Sequence, residues 1–250
     1  MLKTIKNALK TPEIRKKILF TLLLLVIFRL GCYITIPGVD MVTLESTMDS
    51  YSNSVTGMIN MISGGAFSRL SIFAMSITPY ITASIVIQLL GMIIPALERL
   101  TKEGGEEGRK KIDRYTKLIT ISLSLIEGLG IYLSYKSSGI FMDDGFLTGA
   151  VVVISLMAGT SLLMWLGDKI TSKGIGNGIS ILIFAGIVSS FPTAVIAIAG
   201  LIVVDGAFST VGLLTAIGIV LGILILITGV VFVQLAERRI PVQYSKKVVG

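Results

Sequence analysis

Between Asp49 and Glu98 lie 48 residues in which Arg69 is the only charged side chain. As one helix rising about 1.5 Å per residue, this stretch would reach roughly 70 Å, more than twice the ~30 Å hydrocarbon core of a bilayer. It therefore divides. Residues 72–94 make an apolar segment of spanning length. The piece before it, "MINMISGGAFSRL" (58–70), is too apolar for a solvent loop and too polar for lipid tails. Backbone at membrane depth outside a full span must be helical, buried in protein, or facing a water-filled cavity. Two arrangements satisfy that rule. One is a half-helix over about 57–70 folded back into a cavity, with Gly64 and Gly65 as its pivot and Arg69 near the outer rim. The other is an amphipathic helix lying on the outer surface.

The rest of the chain has the same character. Apolar segments at about 18–36, 118–135, 149–166, 179–204 and 211–235 join 72–94 to give six expected spans. Only 15% of residues are charged and 53% are hydrophobic, with a mean hydropathy of +0.87. Soluble domains carry about 25% charged residues. The expected class is an all-α polytopic membrane protein. Residues 1–17 are basic and precede an apolar run long enough to span. No small-residue cleavage site follows that run, and Arg29 stands where a lipoprotein box needs an aliphatic residue, so 18–36 reads as an uncleaved span.

Nineteen of the 22 Lys and Arg residues lie before the first span, in the loop 98–117, after the fourth span, or in 237–250. Arg29, Arg69 and Lys136 are the exceptions. The positive-inside rule then puts the N-terminus, the mixed-charge loop "ERLTKEGGEEGRKKIDRYTK" and the C-terminal segment in the cytoplasm. The net charge of +7 is accounted for mostly by this asymmetry and by contact with anionic lipid. The chain has no histidine. Histidine-based triads, metal sites and proton relays are excluded, and no catalytic residue, metal or cofactor is expected. Cys32 is the single cysteine and can form no internal disulfide.

Inside the spans, Ile77, Ile81 and Ile85 recur at i, i+4 and i+8, as do Ile179, Ile183 and Ile187. Each set lies on one helix face. Such stripes are usually packing or lipid-facing residues. Here, however, Pro79 interrupts one and "SKGIGNG" (172–178) leads into the other. The glycines of "GIGNG" do not match G-x-G-x-x-G and no βαβ unit surrounds them, so a phosphate loop is rejected. Glu127 lies mid-span, where a charge costs about 2.5–3.5 kcal/mol on insertion scales. It needs a partner, a proton or water. Arg29 lies past the middle of the first span, within snorkelling reach of the outer interface.

Several ordered motifs resemble the SecY family, the central subunit of the bacterial Sec translocon. They are "IPGVD", "SGGAFSRLSIFAMSITPYITASIVIQLL", "GGEEGRKKIDRYTK", "GIGNGISILIFAGIV" and "ERRIPVQYSKK". The resemblance implies the first half of an inverted-repeat, protein-conducting channel. Such a channel passes unfolded secretory chains and releases membrane helices sideways into lipid. It matches Ile77, Ile81, Ile179 and Ile183 to an apolar pore ring. It matches Asn60, Met61, Ile62, Ser63, Gly64, Gly65, Ala66, Phe67, Ser68 and Arg69 to a plug, and Thr82, Ile85 and Glu127 to the lateral gate. Arg238, Arg239, Lys246 and Lys247 match a cytoplasmic docking loop for the ATPase SecA or the ribosome. SecE, SecG and translocating polypeptides are the further partners implied, with no nucleic acid expected beyond ribosomal RNA. Family members continue through a second five-span half, so a longer parent protein is expected. The runner-up from the residues alone is a secondary transporter using Glu127 as its midplane carboxylate.

Overall fold

A computed structural model describes residues 11–51, 55–143, 145–204 and 207–237. Among them the elements run α1 (Pro12–Gly31), α2 (Met41–Tyr51), α3 (Val55–Ile62), α4 (Thr78–Ile93), α5 (Pro95–Lys102), α6 (Gly105–Lys136), α7 (Phe146–Lys173), α8 (Gly178–Ile202), β1 (Val203–Val204), β2 (Ala207–Phe208) and α9 (Thr210–Gln234). The chain divides into two compact units, one ending at Phe191 and the other starting at Pro192, inside α8.

Four helices, α6 to α9, are long and apolar enough to cross a membrane. The pair α4 and α5, bent by 103° at Ile94, is a fifth candidate. Five of the six expected spans thus have a counterpart. The first, α1, is helical for 20 residues but includes Glu13, Arg15, Lys16, Lys17 and Arg29, which keeps it out of that apolar set. It ends at Gly31 rather than Ile36 because the next residues leave the helix to pair with distant backbone. The second expected span also starts late. Its helix begins at Thr78, and residues 71–77 are a succession of turns.

In the first unit α7 is central, packed along α6 on one side and α1 on another, while α4 lies against α6. Small residues bring these elements together, as they do between membrane helices generally. A Cβ on Gly159 of α7 would collide with the carbonyl oxygen of Ile72. Glu106 and Glu107 in the first turn of α6 and Lys136 in its last match the helix dipole. The turn between α7 and α8 is the "GIGNG" segment. Asn177 Oδ1 accepts from the amides of Ile179 (3.0 Å) and Ser180 (3.3 Å), and the Gly178 amide donates to Thr171 Oγ1 (2.8 Å). The motif is a helix cap and a tight turn.

Lys117 of α6 joins two helices, reaching Asp113 at 2.7 Å and Asp168 of α7 at 2.6 Å. Its side chain is one-third exposed, so solvent screens much of the attraction. Lys117→Met should cost about 1 kcal/mol or less, seen as a fall of a few degrees in the thermal midpoint of the detergent-solubilised protein.

In the second unit the β1–β2 hairpin pairs Val203 with Phe208. Ser209 caps α9, accepting from the Gly212 amide at 3.1 Å. Its own amide donates to the Ile202 carbonyl (2.9 Å). Leu213, Ala216, Ile217 and Val220 of α9 face Ile198 and Ile202 of α8 across a shallow apolar groove.

Candidate functional site

The unusual part of the molecule is the non-helical chain at 63–77. It lies among helices, yet its polar backbone is paired throughout much of its length. The Gly65 amide donates to the Asn60 carbonyl (2.9 Å) and the Ser71 amide to the Ala66 carbonyl (3.0 Å). The Phe67 amide donates to Ser63 Oγ (3.1 Å) and the Ser68 amide to Asn60 Oδ1 (2.9 Å). Irregular backbone at this depth is stable only with such internal partners. Leu70 (φ 40°) and Ser76 (φ 52°) are left-handed without being glycine, a strain of about 1–3 kcal/mol each. Surrounding packing must hold them there.

That packing comes from two cores. Phe67, Leu70, Ala74 and Met75 join Ile36, Leu44, Tyr135 and Leu156 in one. Ala66, Phe73 and Ile77 join Leu24, Phe28, Leu163 and Leu182 in the other. Phe73 stacks on Phe28 at 5.9 Å. A backbone clasp fixes the middle of the segment. The Ile36 amide donates to the Leu70 carbonyl (3.1 Å) and the Ile72 amide to the Ile34 carbonyl (2.9 Å). On its far side the same strand-like stretch, 34–40, receives residues 140–142: the Asp40 amide donates to the Ile140 carbonyl (2.8 Å) and the Met142 amide to the Gly38 carbonyl (3.0 Å). Asp40 then starts α2, accepting from Thr43 Oγ1 (2.7 Å) and the Val42 amide (3.1 Å), bonds that hold its carboxyl below the usual carboxylate range.

The N-terminal end is less enclosed. The expected half-helix over 57–70 is a helix only in α3, ending at Ile62. Met61 is 55% exposed and Ile62 42%. Ser63 is buried, and Gly64 and Gly65 follow with φ of 66° and 84°. The turn therefore falls on the expected pivot, but the chain after it is packed into the cores. Ser68 Oγ donates to the Gly65 carbonyl (3.1 Å). Arg69 lies over the ring of Tyr33 at 4.3 Å.

Arg29, which sequence reasoning leaves to snorkel outward, turns inward. Its Nη1 donates to the Gly64 carbonyl, and its guanidinium also lies over Tyr33 at 5.4 Å. No feature of the local sequence foretells this bond, because its partner is 35 residues away.

The four residues matched to the pore ring converge in part. Ile77 is a buried member of the second core, and Ile179 and Ile183 pack against that core partly exposed. Ile81 is 36% exposed, against 2% for Ile77. Ile77 precedes the first turn of α4, so the stripe begins in packed turns and emerges along the helix. No hydrogen bond joins the gate residues to one another among the described residues. Thr82 Oγ1 donates back to the Thr78 carbonyl of its own helix (3.2 Å), and Ile85 is exposed. Half-buried Glu127 has no hydrogen bond or ion pair among the described residues. It lines a cavity of about 520 Å³ together with Ile59, Phe67, Met75, Thr78 and Ser134. Thr78 and Met75, rather than Thr82, are thus the residues of that neighbourhood that share a cavity with Glu127. Arg238, Arg239, Lys246 and Lys247 lie outside the described residues.

Membrane-length helices around a paired, non-helical insert define a polytopic helical membrane protein. Its fold matches two solved channels. One is titled "The structure of a protein conducting channel" (TM-score 0.52, 20% identity, 77% of this chain and 38% of that one). The other is "Sec61 in the Canine ribosome-channel complex from the endoplasmic reticulum" (TM-score 0.57, 20% identity, 93% and 50%).

The SecY family model matches residues 71–249, and the chain belongs to the SecY family. Among similar relatives, each named protein translocase subunit SecY, that of Streptomyces scabiei is 44% identical over all of this chain and 59% of its own length. The Thermus thermophilus protein is 43% identical over all of this chain and 57% of its own length. That of Staphylococcus aureus is 40% identical over 99% and 58%. The chain spans about three fifths of the length of these curated relatives.

Proposed function

We propose that this chain forms the first part of a protein-conducting channel subunit in the bacterial cytoplasmic membrane, with its N-terminus in the cytoplasm. The channel passes unfolded secretory polypeptides and releases membrane helices sideways into lipid. The observation that carries this reading is the 63–77 insert. A packing role alone calls for a continuous helix, whereas a hydrogen-bonded turn that suspends α3 by two glycines suits a stopper. Residues 60–69, with α3, make up that plug region, in which α3 is the stopper that moves and the chain after Gly64 is its anchor. Ile77, Ile81, Ile179 and Ile183 supply part of an apolar constriction, which excludes ions by dewetting and yields to any side chain. Thr82, Ile85 and Glu127 belong to the lateral gate. The basic segment at Arg238, Arg239, Lys246 and Lys247 docks SecA or the ribosome, and SecE and SecG complete the complex. The transporter alternative has no such support, since the surroundings of Glu127 are mostly apolar.

Site-specific photo-crosslinking of a stalled secretory chain in the full-length complex tests this. Photoreactive residues at Ile81 and Ile183, which are accessible where Ile77 is not, should both capture the nascent chain. Capture at neither position, with a labelled small solute taken up instead, overturns the channel reading.

A further inference from the structure

At its N-terminal end the insert makes a tight contact through Gly64. Its carbonyl accepts from Arg29 of α1. Gly64 also lies against α8: a Cβ on it would stand 2.7 Å from Ser189 Oγ, 2.9 Å from Arg29 Nη1 and 3.1 Å from Gly186 Cα. A Cβ on Gly186 would likewise stand 2.5 Å from the Ile62 carbonyl oxygen. Ser190 Oγ donates to the Met61 carbonyl at 3.4 Å. The last turn of α3 and the first glycine after it are therefore held by a charged donor on α1 and by the Gly186–Ser190 stretch of α8.

The two contacts differ in kind. The α8 stretch supplies shape, and it releases the chain as readily as it receives it. The Arg29 bond is a charge-assisted, part-buried hydrogen bond, about twice as strong as a neutral one. Among the described residues neither Arg29 nor Arg69 has a carboxylate partner, and both lie over the single ring of Tyr33. Arg29 thereby stays beside Tyr33, bonded to the carbonyl of Gly64, two residues past the end of α3.

We infer that Arg29 is a positioning residue for the plug, a latch whose hydrogen bond to the Gly64 carbonyl holds α3 in its resting seat and which must break when the plug leaves. The latch rests on the channel reading above. It acts at the pivot rather than on the helix, so a small displacement there frees all of α3. Motion of α1 relative to α8 opens it without any contact to the translocating chain.

Resting ion conductance of the purified full-length channel complex in planar bilayers, normalised to folded channel, is the measurement. Arg29→Ala should raise it about tenfold, equivalent to about 1.4 kcal/mol at the plug equilibrium. Arg29→Lys, which retains a cationic donor for one carbonyl, should stay near the unmodified channel. A channel with α3 replaced by an equally long Gly-Ser linker is the reference for a missing plug. If that reference leaks and Arg29→Ala does not, the latch is wrong and the channel reading stands. Equal leakage from the Ala and Lys variants also overturns the latch, since packing rather than a donor would then be what matters. If even the reference stays sealed, the channel reading itself falls.

Discussion

Replacing α3, residues Val55–Ile62, with a Gly-Ser linker of equal length in the full-length channel should raise resting ion conductance by roughly ten- to a thousandfold, while protein export continues. The range follows from the usual population of a minor conformer, about 0.1–10%. Removing the plug makes that minor state the resident one. The choice of residues comes from the packing. Ala66, Phe67 and Leu70 belong to the cores, and the Leu70 carbonyl receives the Ile36 amide. Deleting as far as Leu70 would mix loss of the stopper with damage to the frame. Stopping at Ile62 leaves the Gly64 pivot and everything after it. A flexible Gly-Ser chain has neither the apolar face nor the helix to reseat itself. Single-channel recording at rest gives the answer directly, and a conductance unchanged from the parent channel would count against α3 as the plug.

Gly159→Leu should do the opposite kind of damage. It should abolish assembly of the first unit rather than open it. The added Cβ meets the Ile72 carbonyl oxygen, with Phe73 Cδ1 at 3.5 Å behind it. Ile72 cannot retreat freely, because its amide is bonded to Ile34 and Phe73 beside it is stacked on Phe28. Overpacking typically costs about 1–3 kcal/mol and occasionally more, and contact with fixed backbone puts this site at the high end, a large part of a marginal stability of about 5–15 kcal/mol. Gly229→Ala in α9, where a Cβ meets nothing within 4 Å, should be tolerated. Monodispersity and thermal unfolding in detergent distinguish the two, and a Gly159→Leu protein as stable as Gly229→Ala would refute the close contact.

Much of the fold was legible in the apolar runs, because hydropathy reports on solvent and four of the five candidate spans are plain long helices. The misreadings occur where backbone departs from the solvent rule. Residues 72–77, "IFAMSI", are as apolar as the helix they precede, yet form turns, since a buried turn and a buried helix share a composition. Nothing local marks Leu70 or Ser76 for a left-handed conformation, which long-range packing imposes. Gly64 and Gly65 were readable as a pivot because glycine announces such φ values itself. The resemblance to SecY is what suggests pore-ring and gate roles for the isoleucines and Glu127. Spacing alone left the stripes indistinguishable from ordinary packing, and the structure separates buried Ile77 from exposed Ile81 along one stripe. Arg29 was visible as an intramembrane charge, but its partner was not.

The clasp between residues 34–36 and 70–72 carries a consequence for kinetics. On the channel reading, it makes the plug a tethered ligand of its own seat. With the far side of the pivot anchored by main-chain bonds, a departing α3 stays within a few residues of Gly64. Its return is then an intramolecular event with an effective concentration in the millimolar range. Resealing after a polypeptide clears the pore would therefore be first-order and independent of protein concentration. The tether, more than the strength of any resting contact, would set how briefly the membrane stands open.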